Sequence, residues 1–305
     1  MANTTVTAPE LSSDQVLRVL VLPLREQSKW LSSGVKVVDS AGPLRVPVMK
    51  GLVTVGTTTP EDPSWVAESG VIPESDVDFG QVQLLPSTLT SIKIISRWSA
   101  ELARSAVVAI DSAIQGELIF KVVEKLDRQF FSAGGDGITT PLGILAYPGV
   151  QVIDKANTAI SIDDLIDAWG MALSGNVNMN SLRWIMRSSQ FIALNKIKEI
   201  SGSQRPVLQP DLTAAGGFRL LGAPVIVTDH LALGPDSTDV GTEANEGNVV
   251  LADMSQILVA RDIAPSVTIL KELFAKTDEI GIRVCTRYDS APLNPTAIVK
   301  ITNLL

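Results

Sequence analysis

Apolar residues recur at every fourth position between residues 102 and 130, and this repeat constrains the fold more than any other feature of the sequence. A spacing of four keeps such side chains on one face of an α-helix. With Ser99 as its N-cap and Gly134-Gly135 after its end, the pattern predicts one helix over residues 100–131, about 45 Å long at 1.5 Å per residue. The repeating residues are Leu102, Ala106, Ile110, Ile114, Leu118, Val122, Leu126 and Phe130.

A strand pair is predicted before this helix, and it encloses a long acidic segment. Residues 43–56 alternate in polarity, residues 79–95 return as strands, and turn-forming residues lie between them. A loop of this length inside a compact domain is usually functional or bound to a partner. The acids either face solvent or dock on a basic surface of a neighbouring copy. Residues 51–92 contain no Lys or Arg, and their acids are Glu61, Asp62, Glu68, Glu74, Asp76 and Asp78.

The rest of the chain mixes helices and strands, which predicts the α+β class. A second helix is predicted near residues 161–174, with Asp163 and Asp164 in its first turn, where the helix dipole favours acids. A third helix is predicted from Gln190 onward. Buried strands are predicted at 225–227 and 249–253, followed by β-rich residues 257–301.

Composition and the absence of motifs argue against several function classes. The net charge is −8, from 25 basic and 33 acidic residues, which does not fit a dedicated nucleic-acid binder. His230 is the sole histidine, so multi-histidine metal sites are excluded. Gly134–Gly137 is not followed by Lys-Ser/Thr, so a phosphate-binding loop is excluded and a flexible turn is predicted there. Cys285 is predicted to be a strand residue whose side chain faces the core. No catalytic residue, cofactor, metal site or membrane helix is predicted.

Several local motifs occur in an order that resembles the major capsid proteins of tailed double-stranded DNA bacteriophages. The resemblance covers about residues 43–303 and rests on the order of motifs that are individually weak. These motifs are Trp65-Val-Ala-Glu68 with Pro73-Glu-Ser-Asp76, Leu126–Gly134 with Pro141-Leu-Gly-Ile-Leu145, Leu221-Gly-Ala-Pro-Val225, Val250–Ser255 and Arg283–Asp289.

The resemblance implies the phage major capsid fold, in four parts. The parts are an N-terminal arm (1–42), an extended β-hairpin loop with flanking strands (43–99), a peripheral domain (100–144 and 263–305) and a mixed α/β axial domain (145–262). The peripheral domain would hold the long spine helix, residues 100–131, and the tail strands.

The function implied by the resemblance is structural. Copies would self-assemble as hexameric and pentameric capsomers of an icosahedral shell, in the host cytoplasm, to enclose double-stranded DNA in a virion. Partners would be further copies, a portal, a separate scaffolding or decoration protein, and DNA contacted non-specifically, with no membrane. Only about 42 residues precede the first strand, so a separate scaffold or none is expected. An encapsulin-type compartment shell is the alternative, and an enzyme with an unrecognised site is a more distant one.

The implied site is a contact between copies and not a catalytic centre. The hairpin would lie across a neighbouring subunit and place its acids against a basic surface. The candidate contact residues are Trp65, Glu68, Glu74, Asp76 and Asp78 on the hairpin, and Arg104, Lys121 and Arg128 on the spine helix, with Lys125 and the bases of the arm as further acceptors.

Overall fold

The computed structural model describes most of the chain in ten segments. The helices within them are α1 (Lys29–Ser32), α2 (Ala100–Ser105), α3 (Ile110–Phe130), α4 (Ile162–Ser174) and α5 (Ser188–Lys196). None of these helices is long and apolar enough to span a bilayer. The described segments are residues 28–54, 65–66, 68–69, 75–105, 110–175, 177–197, 209–210, 218–233, 247–270 and 272–304.

The strands of these segments form three sheets. The orders are β1-β11-β12-β4, β5-β13-β10-β6-β9-β8-β7 and the separate pair β2-β3. The strands are β1 (Lys36–Asp39), β2 (Leu44–Thr54), β3 (Ser75–Leu84), β4 (Ile92–Ser99), β5 (Gln151–Thr158), β6 (Leu182–Met186), β7 (Gln209–Pro210), β8 (Phe218–Leu220), β9 (Ala223–Val227), β10 (Gly247–Asp253), β11 (Ile257–Leu270), β12 (Glu279–Pro292) and β13 (Ile298–Leu304).

The seven-stranded sheet is covered on both faces, so its central strand β10 is buried at every position. Val249 and Leu251 point into a core that includes Leu165 and Ala168 of α4. Val250 and Ala252 point into the opposite core, which contains Trp30 and Phe131. The predictions of a buried strand here and of the α+β class are confirmed.

The four-stranded sheet carries the spine helix α3. Leu118 and Val122 of α3 pack on Ile282 and Val284 of β12, with Trp98 of β4 in the same cluster. Leu118 and Val122 belong to the predicted repeat. They pack on the sheet together because side chains four residues apart lie on the same face of a helix.

The predicted helix over residues 100–131 is described as two segments, α2 and α3, and residues 106–109 lie outside the described residues. Gly116 is exposed, and no described atom lies within 4 Å of the position that a Cβ would take. A close approach at Gly116 is therefore not its role within the chain. The helix ends at Phe130, which confirms the predicted C-terminus within one residue.

The C-terminal strands are divided between two sheets. β13 joins the seven-stranded sheet between β5 and β10, whereas β11 and β12 belong to the four-stranded sheet that carries the spine helix. One prediction for these strands is wrong. Cys285 is half-buried, whereas its neighbours Val284 and Thr286 are fully buried. Alternation in β12 therefore turns Cys285 away from the core, opposite to the prediction. The four-part domain division as a whole remains a prediction.

The second and third predicted helices are present as α4 and α5. Ser161 caps α4: its hydroxyl accepts the Asp164 N–H, and the Asp164 carboxylate accepts the Ser161 N–H, which is a capping box. α5 begins at Ser188, two residues before the predicted start at Gln190.

Candidate functional site

The hairpin formed by β2 and β3 is a two-stranded ribbon, and neither strand pairs with any other strand that the structure describes. Its register runs from Leu44 opposite Leu84 to Thr54 opposite Ser75. At about 3.3 Å per residue, the ribbon extends roughly 30 Å from its base. Asp76 and Asp78 lie within β3 and not in a loop, so the predicted acidic excursion is shorter than expected. Glu61, Asp62 and Glu74 lie outside the described residues.

The base of the ribbon is fixed by a buried carboxylate. Asp289 of β12 is 5% exposed, and its two oxygens accept the backbone N–H groups of Leu85 at 2.7 Å and Ser290 at 2.9 Å. Burial raises the pKa of Asp289, although these hydrogen bonds oppose the rise. Leu85 has a φ of 52°, so the chain turns sharply where this carboxylate holds it.

A second contact strengthens the same corner. The Arg287 guanidinium donates to the Pro86 carbonyl at 2.8 Å and to the Asp262 carboxylate at 3.1 Å. Leu84 and Leu85 are buried against Leu258. The ribbon therefore leaves the body from an anchored corner.

The far end of the ribbon carries exposed apolar and acidic side chains. Trp65 is 105% exposed and Val66 is 38% exposed. Glu68 is also exposed, and Phe79 on β3 is 67% exposed. A fully exposed tryptophan is unusual in a soluble monomer and is typical of an interface anchor.

The predicted basic acceptors on the spine helix are mostly paired within the chain. Lys121 contacts Glu124 at 2.8 Å, and Arg128 contacts the same carboxylate at 3.3 Å. Arg104 lies 3.6 Å from Asp278, where both side chains are largely exposed. Such exposed pairs contribute little to stability and can exchange for other partners.

Lys125 differs from these three bases. It is exposed, and its ammonium has no ion pair or hydrogen bond within the part of the chain that the structure describes. Beside it lies a cavity of about 150 Å³. The cavity has a mixed lining with more apolar than polar surface. The apolar and aromatic members are Ile92, Leu126, Phe130, Pro141 and Tyr288, and the polar members are Thr90, Lys125, Gln129 and Thr140.

The end of the arm is fastened to the spine helix. Ser28 Oγ donates to one oxygen of Asp127 at 2.7 Å, and the Lys29 N–H donates to the other at 2.8 Å. Trp30 is fully buried against Phe130 and Phe131, with ring centroids 5.4 and 5.2 Å away. Burial raises the pKa of Asp127. Residues 1–27 lie outside the described residues.

The glycine-rich segment after the spine helix is closed by one aspartate. The Asp136 carboxylate accepts the N–H groups of Ile138, Thr139 and Thr140 at 2.8–3.0 Å and the Thr139 hydroxyl at 2.6 Å. These hydrogen bonds, with that of the Thr139 hydroxyl the largest, hold the pKa of Asp136 well below its usual range. The predicted turn is present, with positive φ at Gly135 and Gly137, and the hydrogen bonds to Asp136 organise it.

The structure does not join the predicted contact residues within one copy. Trp65 and Glu68 lie at the end of the ribbon, and Arg104, Lys121 and Arg128 lie on α2 and α3; in the described segments no hydrogen bond or ion pair links the two groups. No cluster of three or more potential metal ligands occurs among the described residues. The arrangement of the described residues offers surfaces for binding.

Sequence reasoning missed the anchoring aspartates Asp127 and Asp289 and the cavity beside Lys125. Asp127 is one of four acids between residues 102 and 130, with Asp111, Glu117 and Glu124, so no local signal distinguished it from the others. The cavity had no signal, because residues from separated parts of the chain form it.

Comparisons with known proteins agree with this arrangement. The model of the Phage capsid family matches residues 18–303. A major capsid protein of Halomonas phage phiHAP-1 is 26% identical over 196 residues, which cover 64% of this chain and 28% of that protein. The chain therefore spans little more than a quarter of the length of this relative.

Solved structures share the fold at low identity. A capsid chain of an empty GTA particle matches with a TM-score of 0.73 and 17% identity, covering 96% of this chain and 95% of the other. A chain of Mycobacterium phage Bobi matches with a TM-score of 0.68 and 15% identity, covering 98% and 97%.

Proposed function

The chain belongs to the phage capsid family, and we propose that it forms the wall of a phage-like shell as its major capsid protein. This is a structural family and not a family of enzymes. Copies assemble into hexameric and pentameric capsomers, which close into an icosahedral shell around double-stranded DNA. The curated relative is a phage major capsid protein, which favours this proposal over an encapsulin-type compartment.

The observation that carries the proposal is the self-paired ribbon with its rigid base and uncovered end. The strands β2 and β3 hydrogen-bond only to each other among the described strands, so their outer edges keep unpaired backbone groups. Such edges and the exposed Trp65 are stabilised when another protein surface covers them. A neighbouring copy in a shell supplies that surface for every ribbon.

The further partners follow from the same proposal. A portal occupies one vertex, and a separate scaffolding or decoration protein assists assembly or stabilises the wall. DNA is contacted non-specifically, because a net charge of −8 gives a wall that does not hold phosphates strongly. Assembly takes place in the host cytoplasm, and the product is the virion.

Negative-stain microscopy of the chain expressed alone tests the proposal. Closed shells of uniform diameter, or capsomer-sized rings that close when a scaffold is added, are the expected results. A monodisperse monomer that also fails to assemble with candidate scaffold proteins would overturn the proposal.

Charge reversal tests the role of the acidic hairpin. Glu68→Lys and Asp76→Lys should each weaken shells, and the effect should shrink as salt rises because salt screens exposed charges. Asp163→Lys, at an exposed position of α4, is the control and should assemble normally. Unchanged assembly of both hairpin variants would contradict a contact through the acids.

A further inference from the structure

We propose that Trp65 of one copy inserts its indole into the cavity beside Lys125 of a neighbouring copy, with Glu68 paired to that Lys125. The inference rests on the proposed shell function and deepens it, because it assigns one anchor and one receptor within the contact between copies. Three observations support it: the exposure of Trp65, the size and lining of the cavity, and the charges beside each.

Trp65 is an exposed aromatic side chain of the kind that anchors protein–protein interfaces. Its side chain is 105% exposed, so none of the described residues covers it. Burying an indole removes 150–250 Å² of surface from water, and tryptophan is the residue most enriched among interface hot spots. Three other tryptophans, Trp30, Trp98 and Trp184, are fully buried, so exposure is not general for this residue type here.

The cavity has the character of a pocket for an aromatic ring. Its volume is about 150 Å³, comparable to engineered apolar cavities that bind benzene. Phe130 and Tyr288 contribute aromatic side chains to the lining, Leu126 and Pro141 contribute aliphatic surface, and Thr90, Gln129 and Thr140 contribute polar atoms. A planar apolar group fits such a lining better than a charged or strongly polar one.

The charges of Glu68 and Lys125 determine how Trp65 is oriented toward the cavity. Glu68 follows Trp65 by three residues, a separation that spans at most about 10 Å. Lys125 lines the cavity and is the spine-helix base without an ion pair among the described residues, whereas Lys121 and Arg128 already share Glu124. With the indole in the cavity, Glu68 can therefore reach an uncompensated cation.

The receptor belongs to another copy because of where the cavity lies. Ile92 and Tyr288, which line it, are close to the corner from which the ribbon departs. The ribbon carries its far end roughly 30 Å from that corner. In the described structure Trp65 is fully exposed, so it does not fill the cavity of its own chain.

Acrylamide quenching of tryptophan fluorescence, compared between unassembled subunits and purified shells, tests the insertion. The signal of Trp65 is obtained by subtracting that of the Trp65→Phe variant, which leaves the other four tryptophans. We expect Trp65 to be fully quenchable in the subunit and shielded in the shell. Shells in which Trp65 stays quenchable would overturn the inference and leave the proposed function intact.

Engineered cysteines identify the receptor. In a Cys285→Ser background, Glu68→Cys combined with Lys125→Cys should give disulfide-linked oligomers when assembled material is oxidised with copper-phenanthroline. Glu68→Cys with Lys196→Cys, at an exposed position of α5, is the matched control and should not crosslink. Shielding of Trp65 in the free subunit, or crosslinks within one chain only, would overturn the assignment to a neighbour.

Charge exchange measures whether the ion pair is specific. Glu68→Lys and Lys125→Glu should each weaken assembly, and the double variant should recover most of the loss because the pair is restored with inverted sign. Trp65→Ala should raise the concentration needed for assembly by at least about tenfold. A double variant that assembles worse than both single variants would contradict the pairing. A chain that stays monomeric under all conditions would overturn both this inference and the proposed function.

Discussion

The carboxylate of Asp289 accepts the backbone N–H of Leu85 at 2.7 Å, across more than two hundred residues of sequence. This hydrogen bond joins the tail strand β12 to the point where the hairpin leaves the body. The hairpin is therefore positioned by a residue that the chain supplies much later.

Removal of this anchor should destabilise the subunit. Asp289→Ala leaves the buried N–H groups of Leu85 and Ser290 without their acceptor, and we expect a loss of about 2–4 kcal/mol in the free energy of unfolding. Urea denaturation of unassembled subunits measures it. Arg104→Ala, which breaks the exposed pair with Asp278, is the control, and an equal midpoint for both variants would contradict the anchoring role.

The arm should depend on Trp30 more than on any hydrogen bond. Trp30→Ala empties a site between Phe130 and Phe131 and should cost about 3–5 kcal/mol. Trp30→Phe keeps an aromatic ring and removes an indole N–H that has no hydrogen-bond partner among the described residues, so it should lose less than half as much. Thermal unfolding compares the two variants, and equal losses would contradict aromatic packing as the cause.

Two glycines should respond to alanine with opposite signs. At Gly143 a Cβ would meet the Ser132 carbonyl oxygen, so Gly143→Ala should destabilise by about 1–3 kcal/mol. At Gly116 no described atom lies nearby, and Gly116→Ala should stabilise the helix by about 0.5–1 kcal/mol. The denaturant midpoints of the two variants test this prediction. Midpoints that shift in the same direction would contradict the contacts described for a Cβ at Gly143 and at Gly116.

The cap of α4 should show a defined pH dependence. Burial acts most strongly on the Asp164 carboxyl and would raise its pKa, but hydrogen bonds from Lys155 and Ser161 together lower it. A lowered folded-state pKa means that the stabilisation is complete above the unfolded value, about 3.9, and is lost as pH falls through the folded value. Asp164→Asn should therefore lose about 2 kcal/mol at pH 7 and little in strong acid.

A pH series of urea titrations on wild type and Asp164→Asn measures this difference. Asp163→Asn, in the same turn but exposed, is the control and should show a much smaller effect. A difference between wild type and Asp164→Asn that stays constant from pH 7 to pH 3 would show that Asp164 acts through packing and not through its charge.

Local patterns in the sequence predicted the elements well where one face is buried. The fourfold repeat predicted the C-terminus of α3 within one residue, and the apolar run predicted the burial of β10. The order of motifs predicted the family. These predictions succeed because periodic burial is a local property of the chain.

Features that depend on long-range contacts could not be predicted. Neither the anchor from Asp289 to Leu85 nor the placement of β13 beside β5 has a local signature, because each joins segments that are distant in sequence. Cys285 was assigned to the wrong face although its strand alternates regularly: Val284 and Thr286 are fully buried, whereas Arg283 is exposed and Cys285 is half-buried. The acidic loop was predicted too long because a strand can carry exposed acids as readily as a loop can.

The position of β13 sets the order in which the body can be completed. β13 lies between β5 and β10 and runs parallel to β5, so those two strands stay unjoined until every segment from β6 to β12 has been synthesised. Contacts between such distant segments form slowly. In a chain that is still being synthesised, the sheet therefore keeps a gap between β5 and β10. A subunit in which β13 has not yet inserted exposes this gap to chaperones and proteases before it can assemble.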